Sequence, residues 1–485
     1  MVSLRAHAAG LVLAFTIATS AGAAGIIEDH QVIEGPFASG PEVTEVCLAC
    51  HEDAAYDLMK TSHWLWYSPE STAGGETAAF GKRNALSSYC LTVAGNWPRC
   101  TSCHTGYGWR DADFDFTDPG NVDCLVCHDG TGQYRKFPTG AGHPVYEPQE
   151  WDGELWEPVD LAMVARSAGL PTRRNCGACH FFGGGGNNVK HGDLDSTLID
   201  CDAEFDVHMG SDGADLLCQD CHTTEDHRIS GRAMSVSPRG GRELDCTECH
   251  DTDVHAKKVL NWHTRSVACQ TCHIPTFARS QPTNVWWDWS TAGQDQPEQW
   301  GELGEPTYLK KKGTLRWAKD IVPTYAWYNG RAGVYRLGDL MDPDGVTRLN
   351  WPSGSKQDLK ALIYPFKVHR GRQPYDAQRH VFIAAKLYGP GGFWQTYDWN
   401  QAAAAGMQAA GLEYSGEYGF AETVMYWRIN HLVVPAGNAL RCNDCHAPNG
   451  NGRLDWQALG YEGDPLRERG LSRYALKEVY ENESR

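Results

Sequence analysis

CTSCHTGYGWRDADFDFTDPGNVDCLVCH, residues 100–128, carries two copies of the pattern C-x-x-C-H that start 24 residues apart. Two thiols three positions apart can each bond one vinyl group of a haem, and the histidine that follows then lies under the iron as an axial ligand. Outward from this stretch the pattern recurs until it accounts for sixteen of the eighteen cysteines. The eight units are Cys47, Cys50 and His51; Cys100, Cys103 and His104; Cys124, Cys127 and His128; Cys176, Cys179 and His180; Cys218, Cys221 and His222; Cys246, Cys249 and His250; Cys269, Cys272 and His273; and Cys442, Cys445 and His446. Chance placement at this Cys and His content gives about 0.03 such units per chain, so the pattern specifies eight covalently attached haem c groups. Zinc knuckles also use C-x-x-C, but they need paired knuckles and do not demand histidine after every second cysteine.

Eight porphyrins set the fold class. Each is a broad apolar plate to be covered by peptide, so much of the core is cofactor packed with Trp, Tyr and Phe. The expectation is a mainly α multihaem cytochrome c fold, low in regular secondary structure, with a haem-packed core and long connections. Helices are expected near residues 52–62, 161–168, 401–410 and 421–432, where apolar residues recur at three- and four-residue intervals, and strand and loop near Tyr325 to Gly330.

The chain reads in four parts: a signal peptide at 1–24, a haem-dense domain with seven units at 25–275, a haem-free, Trp- and Tyr-rich insertion at 276–440, and a C-terminal segment with the eighth unit at 441–485. Arg5, the apolar stretch from Leu11 to Ala18 and the small residues near Ala23 and Ala24 form a Sec-type leader, which directs the chain to the periplasm. That stretch is shorter than the roughly 20 residues a membrane span needs. A formal charge of −18 with no basic stripe excludes nucleic acid as a partner. Peripheral contact with a membrane is compatible with this charge.

Bis-histidine ligation suits haems that only relay electrons, because both axial positions are closed. His63, His143, His208, His227, His255, His263 and His431 are the candidate distal ligands, with His30, His191, His369 and His380 in reserve. Seven distal histidines for eight haems leave one iron that differs, and that iron is the candidate active site.

Several motifs carry a family resemblance: MKTSHWLW, NWPRCTSCHTGYGW, NVDCLVCHDGTGQYRKFPTGAGHP, NCGACHFFGGGGNNVKHGDLD, HTRSVACQTCHIP and RINHLVV. The chain resembles the octahaem tetrathionate reductases, relatives of octahaem nitrite reductases and hydroxylamine oxidoreductases. The resemblance implies that the haem of the second unit, with His104 as proximal ligand, takes the amine of Lys190 as its distal ligand, with Asn187 and Cys90 beside it. An amine binds iron only when neutral, so Lys190 needs a depressed pKa, and Gly183 to Gly186 would let backbone approach the porphyrin face. Lys136 is the competing lysine. Cys90 and Cys201, the two cysteines outside the units, could instead form a disulfide. His369 and Arg370 are candidates to attract an anion or donate protons, and Lys310 to Lys312 read as an exposed loop that could steer anions.

These readings describe a periplasmic multihaem reductase of the tetrathionate, nitrite or hydroxylamine type. Its substrate would be a small oxyanion or nitrogen species, and its electron donor a redox protein or quinol-linked cytochrome. The alternative is an electron-transfer cytochrome without a substrate of its own.

Overall fold

The computed structural model describes residues 30–68, 79–238 and 244–467; the expected leader lies outside them. No helix among these residues is long and apolar enough to cross a membrane. Regular structure is sparse, and the attachment units sit on short helical turns. Cys47 lies in the helix Gly40–Leu48, and the later units form or end the helices Leu125–His128, Arg173–His180, Cys218–Cys221, Cys269–His273 and Cys442–Cys445. One helical turn brings the two thiols of a unit to the same side of the backbone, as attachment to one porphyrin edge requires.

The Cys-free region builds a nine-stranded sheet. Its strands in chain order are β1 Thr283–Asp288, β2 Gln299–Trp300, β3 Pro306–Leu309, β4 Gly313–Ala318, β5 Thr324–Tyr328, β6 Val346–Arg348, β7 Leu362–Asp376, β8 Val381–Phe382 and β9 Tyr418–Arg428. The path runs β6-β9-β7-β1-β4-β3-β2, with β5 and β8 also paired to β7. β7 is the hub. It runs antiparallel to β9 along Phe366–Asp376 and parallel to β1 at Arg370–Arg372. Lys367 and His369, two apart on β7, therefore share one face, and both are fully buried.

Three of the expected helices appear, two in shortened form as Ala54–Met59 and Leu161–Arg166, and the third shifted to Trp399–Ala409. Aspartates start two of them: Asp160 accepts from Ala162 N and Met163 N, and Asp398 from Asn400 N and Gln401 N. The fourth expectation, residues 421–432, is corrected to strand β9. Its apolar positions fit either period, and β-branched and aromatic residues in AETVMYW settle into the pleat against β7.

The main core couples the sheet to the second attachment unit's surroundings. Leu86, Tyr89 and Leu91 pack in one cluster with Trp287, Phe382, Met407 and Trp427. Helix Trp399–Ala409 lies so close to residues 384–386 that a Cβ on Gly406 would stand 1.8 Å from the Ala384 carbonyl and 2.5 Å from Lys386 N. Gly406→Ala is thus expected to cost about 2 kcal/mol or more, read as a lowered Tm with haem content unchanged.

Candidate haem array and active site

A continuous cavity of about 3070 Å³ threads the chain and is lined by six of the eight attachment histidines. Two imidazoles that share one iron at about 2 Å per Fe–N bond must hold their ring centres about 6.3 Å apart. Seven attachment histidines face a second histidine at that spacing. The pairs are His51 and His30 at 6.1 Å, His128 and His227 at 6.3 Å, His180 and His63 at 6.2 Å, His222 and His431 at 6.5 Å, His250 and His208 at 6.1 Å, His273 and His255 at 6.1 Å, and His446 and His263 at 6.3 Å.

Many of these rings engage Nδ1 with the protein and keep Nε2 for the gap. His128 Nδ1 meets the Gly169 carbonyl at 2.8 Å, His222 Nδ1 that of Ser230 at 3.0 Å, and His263 Nδ1 that of Val259 at 2.7 Å. Such bonds fix the tautomer that leaves a lone pair on Nε2 for a metal. Local structure aims the distal rings. His227 sits with Asp226 in the two-residue turn of a hairpin between Thr224–Glu225 and Arg228–Ile229, both at positive φ (58° and 47°). Two side-chain-bearing residues in that conformation form a strained type I′ turn, kept here where it presents an imidazole.

The second unit differs. His104 faces no other histidine; its ring centre lies 4.9 Å from both Trp64 and Trp109 and 5.5 Å from Trp66. Its backbone leaves the helical turn in an extended conformation, and Nε2 donates to the Trp64 carbonyl at 2.8 Å. The nitrogen that would face an iron is thus engaged by the Trp64 carbonyl. Nearby, Cys179 Sγ lies 3.8 Å from the Cys103 carbonyl, so the second unit abuts the fourth.

The end of the cavity at this unit is lined by Lys82, Tyr89, Cys90, Arg99, Lys190 and Lys312, with Trp66 and Trp287. Lys190 follows the glycine run, where Gly184 (φ +86°) and Gly185 (φ +94°) turn the chain back on itself and all four glycines line the cavity. Its amine lies 4.8 Å above the Trp427 ring. Burial, reinforced by the charge of Lys82, pushes Lys190 down to about 8, so an appreciable fraction of the amine is neutral near neutral pH. Among the described residues, none of Lys82, Arg99, Lys190 and Lys312 forms an ion pair.

Three comparisons with known proteins agree with this architecture. A family model described as bacterial cytochrome c matches residues 284–449. An uncharacterised protein of Archaeoglobus fulgidus is 27% identical over 254 residues, 44% of this chain and 84% of its own. The crystal structure of an octahaem cytochrome c from Shewanella oneidensis is 52% identical, superposes with a TM-score of 0.84, and is matched over 91% of this chain and 98% of its own. The chain belongs to the octahaem cytochrome c family. It carries haem c attached covalently at its C-x-x-C-H units, and the cavity and the imidazole spacing fit that cofactor.

Within this octahaem cytochrome several expected site residues stand elsewhere. His143, expected as a distal ligand, stacks on Tyr107 at 5.2 Å and bonds the Tyr146 hydroxyl; His30, held by the Ala168 carbonyl, faces His51 instead. Asn187 is turned onto Ser196, donating to its Oγ at 2.8 Å and accepting from its backbone N at 3.0 Å. Lys136 is committed to a buried ion pair with Asp123 at 2.8 Å, which removes the competitor to Lys190. His369 lies behind the chamber wall, its ring 4.3 Å from Tyr89 and its Nε2 on Asn284 Oδ1, while Arg370, the next residue along a strand, points to the exposed side. Cys90 and Cys201 pack in separate clusters as free thiols, so the disulfide is absent. Lys310 pairs with Asp295, whereas Lys312 turns inward to the cavity, so the lysine run is not simply an exposed loop.

Residues the sequence did not mark complete the array. Asp193, almost fully buried, accepts from Asn430 N at 2.7 Å, His431 N at 3.1 Å and His431 Nδ1 at 3.1 Å, and so aims His431 at His222. The only sequence cue is its place three residues after Lys190. Asp193→Ala leaves these donors unanswered and should cost about 2–3 kcal/mol, read as a lowered Tm of the purified holoprotein.

Proposed function

We propose that this octahaem cytochrome is a periplasmic reductase of a small oxyanion, acting at the haem of the second unit, with the other seven haems bis-histidine ligated by the facing pairs. The carrying observation is the contrast between seven imidazole pairs at iron-spanning distance and one unit whose histidine has no such partner but whose surroundings hold Lys190, Cys90 and three further cations. Haem supplies one-electron relays where both axial positions are filled and a substrate-binding iron where one can open.

Protein residues supply the rest. The neutral amine of Lys190 and the imidazole of His104, whose Nε2 now meets the Trp64 carbonyl, would be the residues that hold the iron of this haem, with Lys190 the one a substrate would replace. Lys82, Lys312 and Arg99 raise the local concentration of an anion and favour its binding over that of a neutral molecule. This supports tetrathionate or nitrite ahead of uncharged hydroxylamine. Cys90, half-buried in the same chamber, offers a thiol to a sulfur substrate. A redox protein or quinol-linked cytochrome would deliver the electrons.

In a dye-linked assay, at least one of tetrathionate and nitrite should be reduced, and Lys190→Ala should lower that kcat at least tenfold while shifting the spectrum of one haem. Lowering the pH protonates Lys190, so the amine-ligated signal should decline on the acid side and be retained on the alkaline side. Absence of turnover with every anion, together with no spectral response to nitrite or cyanide, would return the protein to the electron-carrier reading.

A further inference from the structure

The loop that ends in Lys190 is held by an unusual set of donors. Lys367, at the middle of β7, is fully buried, and its ammonium donates to the Val189 carbonyl at 2.9 Å, to the Lys190 carbonyl at 3.0 Å and to Thr283 Oγ1. The Lys367 Nζ thus has three oxygens within hydrogen-bond distance, with no carboxylate among them. Thr283, on β1, passes its own hydroxyl proton to the Asn188 carbonyl at 2.6 Å. From the opposite side the Tyr89 hydroxyl donates to the Lys190 carbonyl at 3.0 Å. Every carbonyl from Asn188 to Lys190 is therefore anchored by a side chain of another segment.

Full burial pushes the Lys367 amine well below the usual lysine range, so its charge is costly there, and an apolar side chain of the same length would fill the volume at lower cost. What only the amino group provides is directed bonds, two onto one short loop and a third onto the Thr283 hydroxyl beside it. The Lys190 side chain has four flexible methylenes, so where its amine rests depends on where its backbone is fixed.

We infer that Lys367 and Tyr89 are positioning residues, a clamp that holds the Lys190 backbone so that its amine stays bound to the second haem and yields to substrate only by exchange. The inference rests on Lys190 being that haem's ligand. Through it the sheet of the Cys-free region, which holds no attachment unit, governs ligation at the candidate active site. His369 supports the same device from behind, packed at a tilt against the Tyr89 ring and held by Asn284.

The test compares holoprotein of Lys190→Ala, Lys367→Met and Tyr89→Phe by paramagnetic resonance and optical spectroscopy, with haem counted as pyridine haemochrome and cyanide binding followed in time. Lys190→Ala should lose the amine-ligated signal and leave one haem of the eight high-spin. With Lys367→Met the same loss is expected in most molecules, and with Tyr89→Phe in a measurable fraction; both should bind cyanide at that haem at least tenfold faster, with the seven bis-histidine signals unchanged. If Lys190→Ala changes the spectrum while both clamp variants keep the parent signal and cyanide rate, the clamp is wrong. If Lys190→Ala itself changes nothing, the ligand reading fails instead. Should Lys367→Met fail to incorporate all its haem, Tyr89→Phe, which removes one hydroxyl, decides the matter.

Discussion

Two imidazoles that must meet on one iron have almost no freedom in their separation, because the two Fe–N bonds are short and stiff. Seven ring pairs between 6.1 and 6.5 Å, drawn from segments up to 209 residues apart in sequence, stand at that separation. The rest of the structure is arranged around it. Helical turns carry the proximal rings, while a strained hairpin turn, a helix end and a loop held by Asp193 carry distal ones. Little regular structure is needed, since the cross-links supply the long-range order that a sheet or bundle supplies elsewhere.

The Cys-free region is where ordinary protein architecture returns. Its sheet is organised on one long strand, β7, buried on both sides over much of its length. Its inward residues serve the haem-dense region: Lys367 reaches the Lys190 loop, and His369 backs Tyr89. The sheet also delivers Lys312 through the tight turn between β3 and β4, where Gly313 takes φ +83° and a Cβ would stand 2.2 Å from the Asp288 carbonyl. The chamber of the second unit is therefore built from both regions of the chain.

Electrostatics separates the two kinds of site. At the imidazole pairs the titratable groups are matched and directed, as in His446 with Asp464 at 2.6 Å. At the second unit the balance is reversed, with cations gathered around a cavity and, among the described residues, no ion pair to neutralise them. Low dielectric there keeps an amine partly neutral and makes an incoming anion's interactions stronger than they would be in water.

The sequence by itself determined the cofactor, its number and its attachment points, because C-x-x-C-H is local chemistry written in five consecutive residues. It also marked most of the histidines that come to face an attachment histidine, since His63, His208, His227, His255, His263 and His431 lie near units or elements that present them. It could not separate His30 from His143, because what decides is which ring comes to stand opposite His51, a matter of chain path. Only the tertiary structure decided that Lys136 is spent on Asp123, that Asn187 and Arg370 face away, and that residues 418–428 pair with β7 as strand. Those outcomes depend on which neighbouring segment or sheet face each side chain meets once the chain has folded, from Asn187 on Ser196 and Lys136 on Asp123 to β9 along β7, and neither spacing nor composition carries that information.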